Sequence, residues 1–162
     1  YEDLNLNEMV NINTDIAYHG KRAQNPNFRA TIKKDLQPDI GYVKGMGQEI
    51  GQVLLNLIGN SLDAVWEKKL KLNGIYEPEV IISTRQEEGK VEIAVSDNGP
   101  GIPQENHEKI FEPFFTTKPT GEGTGLGLSL SYTIITQGHN GSLQLKNDRQ
   151  VGATFVISLP AL

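Results

Sequence analysis

Cysteine is absent from the 162 residues. That removes disulfides, thiolate metal sites and cysteine nucleophiles from any account of fold or chemistry. No apolar run approaches the roughly 18 residues of a membrane-crossing helix. The N-terminal YEDLNLNEMV is acidic and amphipathic, unlike a signal peptide. The first residue is Tyr rather than Met, so the chain reads as an excised piece of something longer, with any membrane anchor outside it. A basic stripe is missing too. The formal net charge is −5 and the two signs are interspersed, which argues against a nucleic-acid surface. Lys33–Lys34 and Lys68–Lys69 with Lys71 read as solvated faces. There is no internal repeat and no low-complexity segment.

What is present fits one domain with one core. Apolar residues at helical spacing predict a first helix over 7–23, with Gly20 and Asn25-Pro26 marking its end. The alternation in FRATIKKD predicts a strand over 28–35. A long helix over 47–71 carries Ile50, Val53, Leu54, Leu57, Ile58, Leu62 and Val65 on one side. Glu49, Gln52, Asn56, Asn60 and Asp63 form a narrow stripe opposite, at about 100° per residue. Residues 79–86 and 90–96 predict a hairpin. Residues 97–124 read as a loop long enough to be functional or disordered. A helix over 125–137, ended by Gly138, and strands over 142–146 and 153–159 complete the order. Helices on one face of a mixed sheet would satisfy these elements.

Several segments could carry chemistry. In GEGTGLGLSL, residues 121–130, four alternate glycines precede a helix with Thr124 as its expected N-cap. Bare backbone N–H groups and a helix N-terminus suit a phosphate, although a plain surface loop would also use such residues. The spacing is not G-x-G-x-x-G. No P-loop exists either, since Asp15 and Thr84 stand where the first glycine is required. In DNGPGI, residues 97–102, a carboxylate ends a strand beside two glycines. Asp97 there could accept from a ligand amine or merely cap the turn. Asn56 and Asn60, one helical turn apart, offer carboxamide oxygens suited to Mg²⁺, or simply make a polar face. KIFEPFFTTK, residues 109–118, holds Phe111, Phe114 and Phe115, which should anchor their loop to the body of the domain or to another domain.

Taken together, QVLLNLIGNSLDA, DNGPGI, KIFEPFFTTK, GEGTGLGLSLS and GATFVISLP resemble the N, G1, F, G2 and G3 boxes of sensor histidine kinases. They come in that family's order and at its spacing, over most of the chain. The resemblance implies a Bergerat-type two-layer α/β sandwich, with about five mostly antiparallel strands against three helices. It implies that Asn60 ligates a Mg²⁺ bridging the ATP phosphates, and that Asn56 supports the phosphates or the metal's water shell. Asp97 would accept from the adenine amine, with Gly99 and Gly101 shaping the pocket wall. Thr154 would contact adenine through water. Gly123, Gly125, Leu126 and Gly127 would offer backbone to the phosphates. Asp63, Ile102, Phe114, Thr117, Lys118 and Thr124 complete the expected nucleotide contacts. Residues 102–124 would be the ATP lid.

One departure stands out. Many members of that family carry Lys or Arg three residues after the metal asparagine, and Asp63 sits there instead. Lys118 is expected to supply the missing charge and to join Asn56 and Asn60 in catalysis. None of the three histidines is expected to accept phosphate. His19 precedes glycine, His107 lies in the lid, and His139 is read as part of a turn. The expected activity is therefore transfer of the ATP γ-phosphate to a histidine on separate acceptor helices, upstream of a response regulator. The domain would be a cytoplasmic monomer of residues 1–162, with 1–25 a linker and first helix and the parent protein free to be membrane-anchored. Alternatives are an ATPase of the gyrase, MutL or chaperone kind, or a non-catalytic docking module. The first uses a Glu where Asn56 stands, and an amide cannot act as a general base.

Overall fold

A computed structural model describes residues 1–72, 74–116, 126–146 and 151–162. The chain order is β1 (Glu2–Leu4), α1 (Leu6–Gln24), β2 (Thr31–Leu36), β3 (Val43–Gly45), α2 (Gly47–Lys71), β4 (Glu79–Glu87) and β5 (Lys90–Asp97). After two short 3₁₀ turns come α3 (Gly127–His139), β6 (Ser142–Lys146) and β7 (Thr154–Pro160). Five strands form one sheet in the order β2-β4-β5-β7-β6. Only β2 and β4 run parallel in it; the other pairings are antiparallel. Three helices pack on this mixed sheet in an α/β sandwich, as expected.

Helix α2 is the spine, and its bounds match the sequence reading. Ile50, Val53, Leu54, Leu57, Ile58, Leu62 and Val65 are all buried, each at 1% exposure or less. They face the inward side chains of the sheet, among them Val80, Ile82, Val91, Ile93, Val95 and Ile157. At about 25 cal/mol per Å² this apolar burial is the main stabilising term. Gly51 and Gly59 lie on another side of α2. A Cβ at Gly51 would touch Asn13 of α1, and one at Gly59 would come within 3.9 Å of the Lys21 Cε. The pairing of 13 with 51 and 21 with 59 means that α1 and α2 run side by side in the same direction. Asn5 caps α1 by accepting from the Glu8 N–H at 3.2 Å.

The hairpin between β4 and β5 turns on Glu88 and Gly89, both at positive φ (45° and 77°). That is the type I′ geometry whose twist suits adjoining strands.

Four local readings change. The strand expected from residue 28 begins at Thr31, because Pro26–Asn27 form a turn. Phe28 instead packs as core between Tyr18 and Trp66, with ring centroids 5.7 and 5.2 Å away. The pairing of β1 with β3 was not anticipated, since three-residue strands carry no periodicity to read. Helix α3 runs past Gly138 to His139 and stops at Asn140, which is left-handed (φ 53°, ψ 30°). The Gly141 N–H then bonds back to the Ile135 carbonyl at 2.9 Å, so the stop signal is Asn140 and not the glycine. Part of the long loop is ordered into 3₁₀ turns at Gln104–Asn106 and Lys109–Phe111. Among the described residues, no helix is long and apolar enough to cross a membrane.

Leu62→Ala, at the centre of the α2 core face, is expected to lower unfolding free energy by about 2–5 kcal/mol in urea titration. The exposed neighbour Leu70→Ala should change it by less than about 0.5 kcal/mol.

Candidate functional site

A cavity of about 470 Å³ opens between α2, the segment after β5, the start of α3 and the inner end of β7. The polar stripe of α2 forms one wall through Asn56, Asn60, Asp63 and Glu67. Asp97 stands at its inner end, 3% exposed. Ile102, Ile110, Phe115, Leu128 and Phe155 supply apolar surface. A flat aromatic ring held by apolar walls, with a few polar groups converging on it, suits this composition.

The chain positions Asp97 with its own backbone. The Asp97 N–H donates to the Ala153 carbonyl at 2.9 Å, which locks β5 to the approach of β7. The Asp97 Oδ1 accepts from the Gly99 N–H at 2.9 Å and the Ala153 N–H at 3.3 Å. Two donors on one carboxylate oxygen stabilise the charged form despite burial. Gly152 has φ 81°, and a Cβ on it would strike the Asp97 carbonyl oxygen. Only glycine fits that approach. The next residue is fixed as firmly. Asn98 Oδ1 accepts from the Glu79 N–H at 2.9 Å, and its Nδ2 donates to the Glu77 carbonyl at 2.9 Å. The Tyr76 hydroxyl lies 2.9 Å from Asn98 Oδ1 and 3.0 Å from the Asn98 carbonyl oxygen. Burial, then the nearby Asp97 charge, pushes the Tyr76 phenol up to about 12.

At the other end, Asn56 Nδ2 donates to Ser131 Oγ of α3 at 3.3 Å. A Cβ on Gly127 would collide with Asn56 Oδ1. The bare start of α3 thus rests directly on the Asn56 amide. Asp63 forms an ion pair with Lys21 of α1 at 2.7 Å. Asn60 lines the same cavity, and a carboxamide oxygen beside phosphates and water is a fitting Mg²⁺ donor set.

The family described as "Histidine kinase-, DNA gyrase B-, and HSP90-like ATPase" matches residues 45–162. The chain belongs to that family. Among its relatives, the two-component sensor PprA of Pseudomonas aeruginosa is 42% identical over 120 residues, 73% of this chain and 12% of that protein. The sensor histidine kinase ZraS of Escherichia coli K12 is 33% identical over 158 residues, 97% of this chain and 30% of that protein. The chain thus spans less than a third of these two curated relatives. The catalytic domain of histidine kinase ThkA, nucleotide-free, superimposes with a TM-score of 0.80 at 31% identity, covering 99% of this chain and 95% of that one. A structure of ThkA in complex with response regulator protein TrrA matches with a TM-score of 0.77 at 27% identity, covering 99% and 42%.

Within this ATPase domain, the cavity gathers Asn56, Asn60, Asp63, Asp97, Gly101, Ile102 and Gly127 of the expected nucleotide contacts. Gly99 sits behind the wall, where its N–H holds Asp97. Three further expected positions do not line the cavity. Thr154 is paired across the sheet, its hydroxyl 2.8 Å from Ser96 Oγ. Its neighbours Ala153 and Phe155 face the cavity instead. Phe114 is 73% exposed at φ 67°, and Phe115 takes the inward place. Leu126 is 39% exposed as the residue before α3, and Leu128 points inward. Thr117, Lys118, Gly123, Thr124 and Gly125 lie outside the described residues. The residue preceding α3 is Leu126, without a side-chain cap bond. Phe111 anchors its segment as expected, against Tyr132 and Phe155 at 5.4 and 6.3 Å.

Reasoning from sequence missed Glu67, Ala64 and Ser131. Ala64 and Glu67 continue the Asn60 face of α2 by one and two turns, so the stripe could have been extended to them. His139 is no turn residue. It is 6% exposed, donates from Nδ1 to the Ile134 carbonyl at 2.9 Å and accepts the Met46 N–H at Nε2, 3.0 Å away.

Gly127→Ala is expected to cost about 1–3 kcal/mol, because the new methyl has only the Asn56 amide to displace. Gly138→Ala, whose Cβ would meet Glu49 at an ordinary 3.6 Å, should be neutral or stabilise by up to about 1 kcal/mol. Thermal melts of the two variants separate these outcomes. Tyr76 provides a pH test. Its folded value is raised above the ordinary 10, so the folded state keeps a proton that the unfolded state loses. That stabilising contribution is whole below pH 10 and fades as pH rises toward 12. Tyr76→Phe should therefore flatten the fall in stability over that window, measured by urea unfolding at successive pH values.

Proposed function

We propose that this domain binds Mg²⁺-ATP in the cavity and transfers the γ-phosphate to a histidine on a separate phosphoacceptor domain, in two-component signalling. The buried, doubly donated Asp97 carboxylate carries this reading. It is a fixed acceptor at the closed end of an apolar slot, which suits the exocyclic amine of adenine. The polar wall of α2 then lies where a triphosphate would extend. Asn60 would hold the Mg²⁺, with Asn56 supporting the phosphates or the metal's water shell. When bound, Mg²⁺ supplies charge neutralisation on the β- and γ-phosphates. Gly127 presents its N–H side at the start of α3, where a helix N-terminus favours an anion.

The transfer itself needs no covalent help from this chain. A neutral imidazole nitrogen of the acceptor attacks the γ-phosphorus, the bond to the β–γ bridging oxygen breaks, and ADP leaves. The domain's part is positioning and electrostatics. Two of its three histidines are already engaged in ways that do not suit the acceptor role. His139 is buried and bonded at both ring nitrogens, and a His107 nitrogen donates to the Ile102 carbonyl at 2.7 Å. The acceptor helices would belong to another part of the parent kinase, with residues 1–25 leading from them. A response regulator would receive the phosphate, a role supported by the likeness to ThkA in its complex with TrrA. The domain works on the cytoplasmic side as a monomer, makes no direct membrane contact and alone shows little or no turnover.

Calorimetric titration of ATP with and without Mg²⁺ tests this reading. Asp97→Asn should weaken binding about tenfold to hundredfold, the worth of a charge-assisted hydrogen bond. Asn60→Asp should alter the Mg²⁺ dependence and leave adenosine binding unchanged. A folded wild-type domain that binds no ATP would overturn the proposal in favour of a docking module.

A further inference from the structure

The described wall of the cavity includes three carboxylates, Asp63, Glu67 and Asp97, and no lysine or arginine. A triphosphate entering it would meet like charge along the α2 wall, from Asp63 and Glu67, and at Asp97. Asp97 is accounted for at the closed end. Asp63 and Glu67 are not, since they follow Asn60 along the same helix face. Among the described residues two cations reach this wall from outside it: Lys71 of α2 meets Glu67 at 2.9 Å with both side chains more than half exposed, and Lys21 of α1 meets Asp63, one turn from Asn60. Lys21 leaves α1, crosses α2 over the bare Gly59 and pairs with Asp63 at 2.7 Å. The two side chains are 24% and 34% exposed, so the pair is only partly hydrated. Coulomb interactions there are stronger than between fully exposed charges.

Resting on the ATP-binding reading, we infer that Lys21 of α1 is a phosphate-binding residue of this site, held ready by Asp63. Three observations fit together. Gly59, directly before Asn60, leaves room for the lysine stem to lie flat on α2. Asp63 is one turn beyond Asn60, so its partner sits beside the place where the metal and phosphates would be. A lysine ammonium on a four-carbon stem can swing from a carboxylate to a phosphate oxygen without moving either helix. In the structure the ammonium pairs with Asp63; with ATP bound it turns to the terminal phosphates and offsets the charge of this wall. The cation therefore comes from the first helix of the domain and not from α2 itself.

A binding cycle tests this against a simpler role, in which Lys21 only neutralises Asp63. Mg²⁺-ATP and adenosine would be titrated into wild type, Lys21→Met, Asp63→Asn and the double variant, with melting curves confirming folding. Lys21→Met is expected to weaken Mg²⁺-ATP about tenfold and leave adenosine unchanged. The same tenfold loss should appear when Lys21→Met is made in the Asp63→Asn background. Lys21→Arg should restore affinity to within about threefold. Should Lys21→Met not fold, Lys21→Gln takes its place with the same expectations. Unchanged ATP affinity, or an equal loss for ATP and adenosine, would overturn the assignment. A loss that vanishes in the Asp63→Asn background would overturn it as well, leaving Lys21 as a counter-charge. If wild type binds neither ligand, the ATP-binding reading itself fails, a result distinct from all of these.

Discussion

The Asp97 carboxylate is shut away from water at the point where β5 meets the approach to β7, and much of the molecule follows from keeping it there. An ionised group costs several kcal/mol to bury unless its oxygens find donors. Two of those donors are backbone N–H groups, from Gly99 and Ala153. Each depends on a neighbour. Gly99 is placed by the turn that Asn98 ties to residues 77 and 79. Ala153 is placed by Gly152, whose left-handed backbone lets the chain pass against Asp97 without a side chain in the way. A rigid acceptor at the floor of a cavity is thus bought with glycines and backbone pairing, not with a network of side chains. Such an acceptor recognises by geometry, since it cannot move to meet a misplaced donor.

Helix α2 meets the second demand, that one element face three different neighbours. Its aliphatic side fills the core, its glycine positions admit α1, and its amide and carboxylate side forms the cavity wall. Twenty-five residues are needed because the wall and the core extend along the same axis. A perturbation of the α1–α2 contact therefore reaches the cavity without passing through the sheet. Lys21 sits on that contact.

How far this was legible in the sequence follows from where each signal lies. The α2 core face was readable because seven apolar residues repeat at helical period, and the sheet hairpin because the short Glu87-Glu88-Gly89 link joins two strand-like runs. Asn56, Asn60 and Asp97 were marked out by the resemblance of their segments to the N and G1 boxes, since spacing alone allows a plain polar face and a turn cap. Contacts made between distant segments were not. Phe114 and Phe115 are adjacent and chemically identical, so only the positive φ at Phe114 decides which one turns inward. The edge strand β2 is mostly exposed, and its first residues were misread because Phe28 serves the core from a turn. His139 looked like a turn residue until the Met46 N–H was found to bond its ring. The partner of Asp63 lies on another helix, where no pattern within α2 could point to it.

Position 56 joins the packing of the fold to the chemistry open to it. The Asn56 amide spans the gap to Ser131, and Gly127 has no side chain because Asn56 Oδ1 already fills that space. A glutamate at 56 would be one methylene longer. Asn56 is half-buried and lines the cavity, so that longer side chain would have to give up the bond to Ser131 and turn into the cavity. An amide at this point also has no basic oxygen with which to take a proton from water. The same amide that seats α3 on α2 therefore offers no hydrolytic base at this position. At position 56 the wall offers a phosphoryl group positioning rather than a base, which agrees with the proposed transfer to a nucleophile brought from outside the domain.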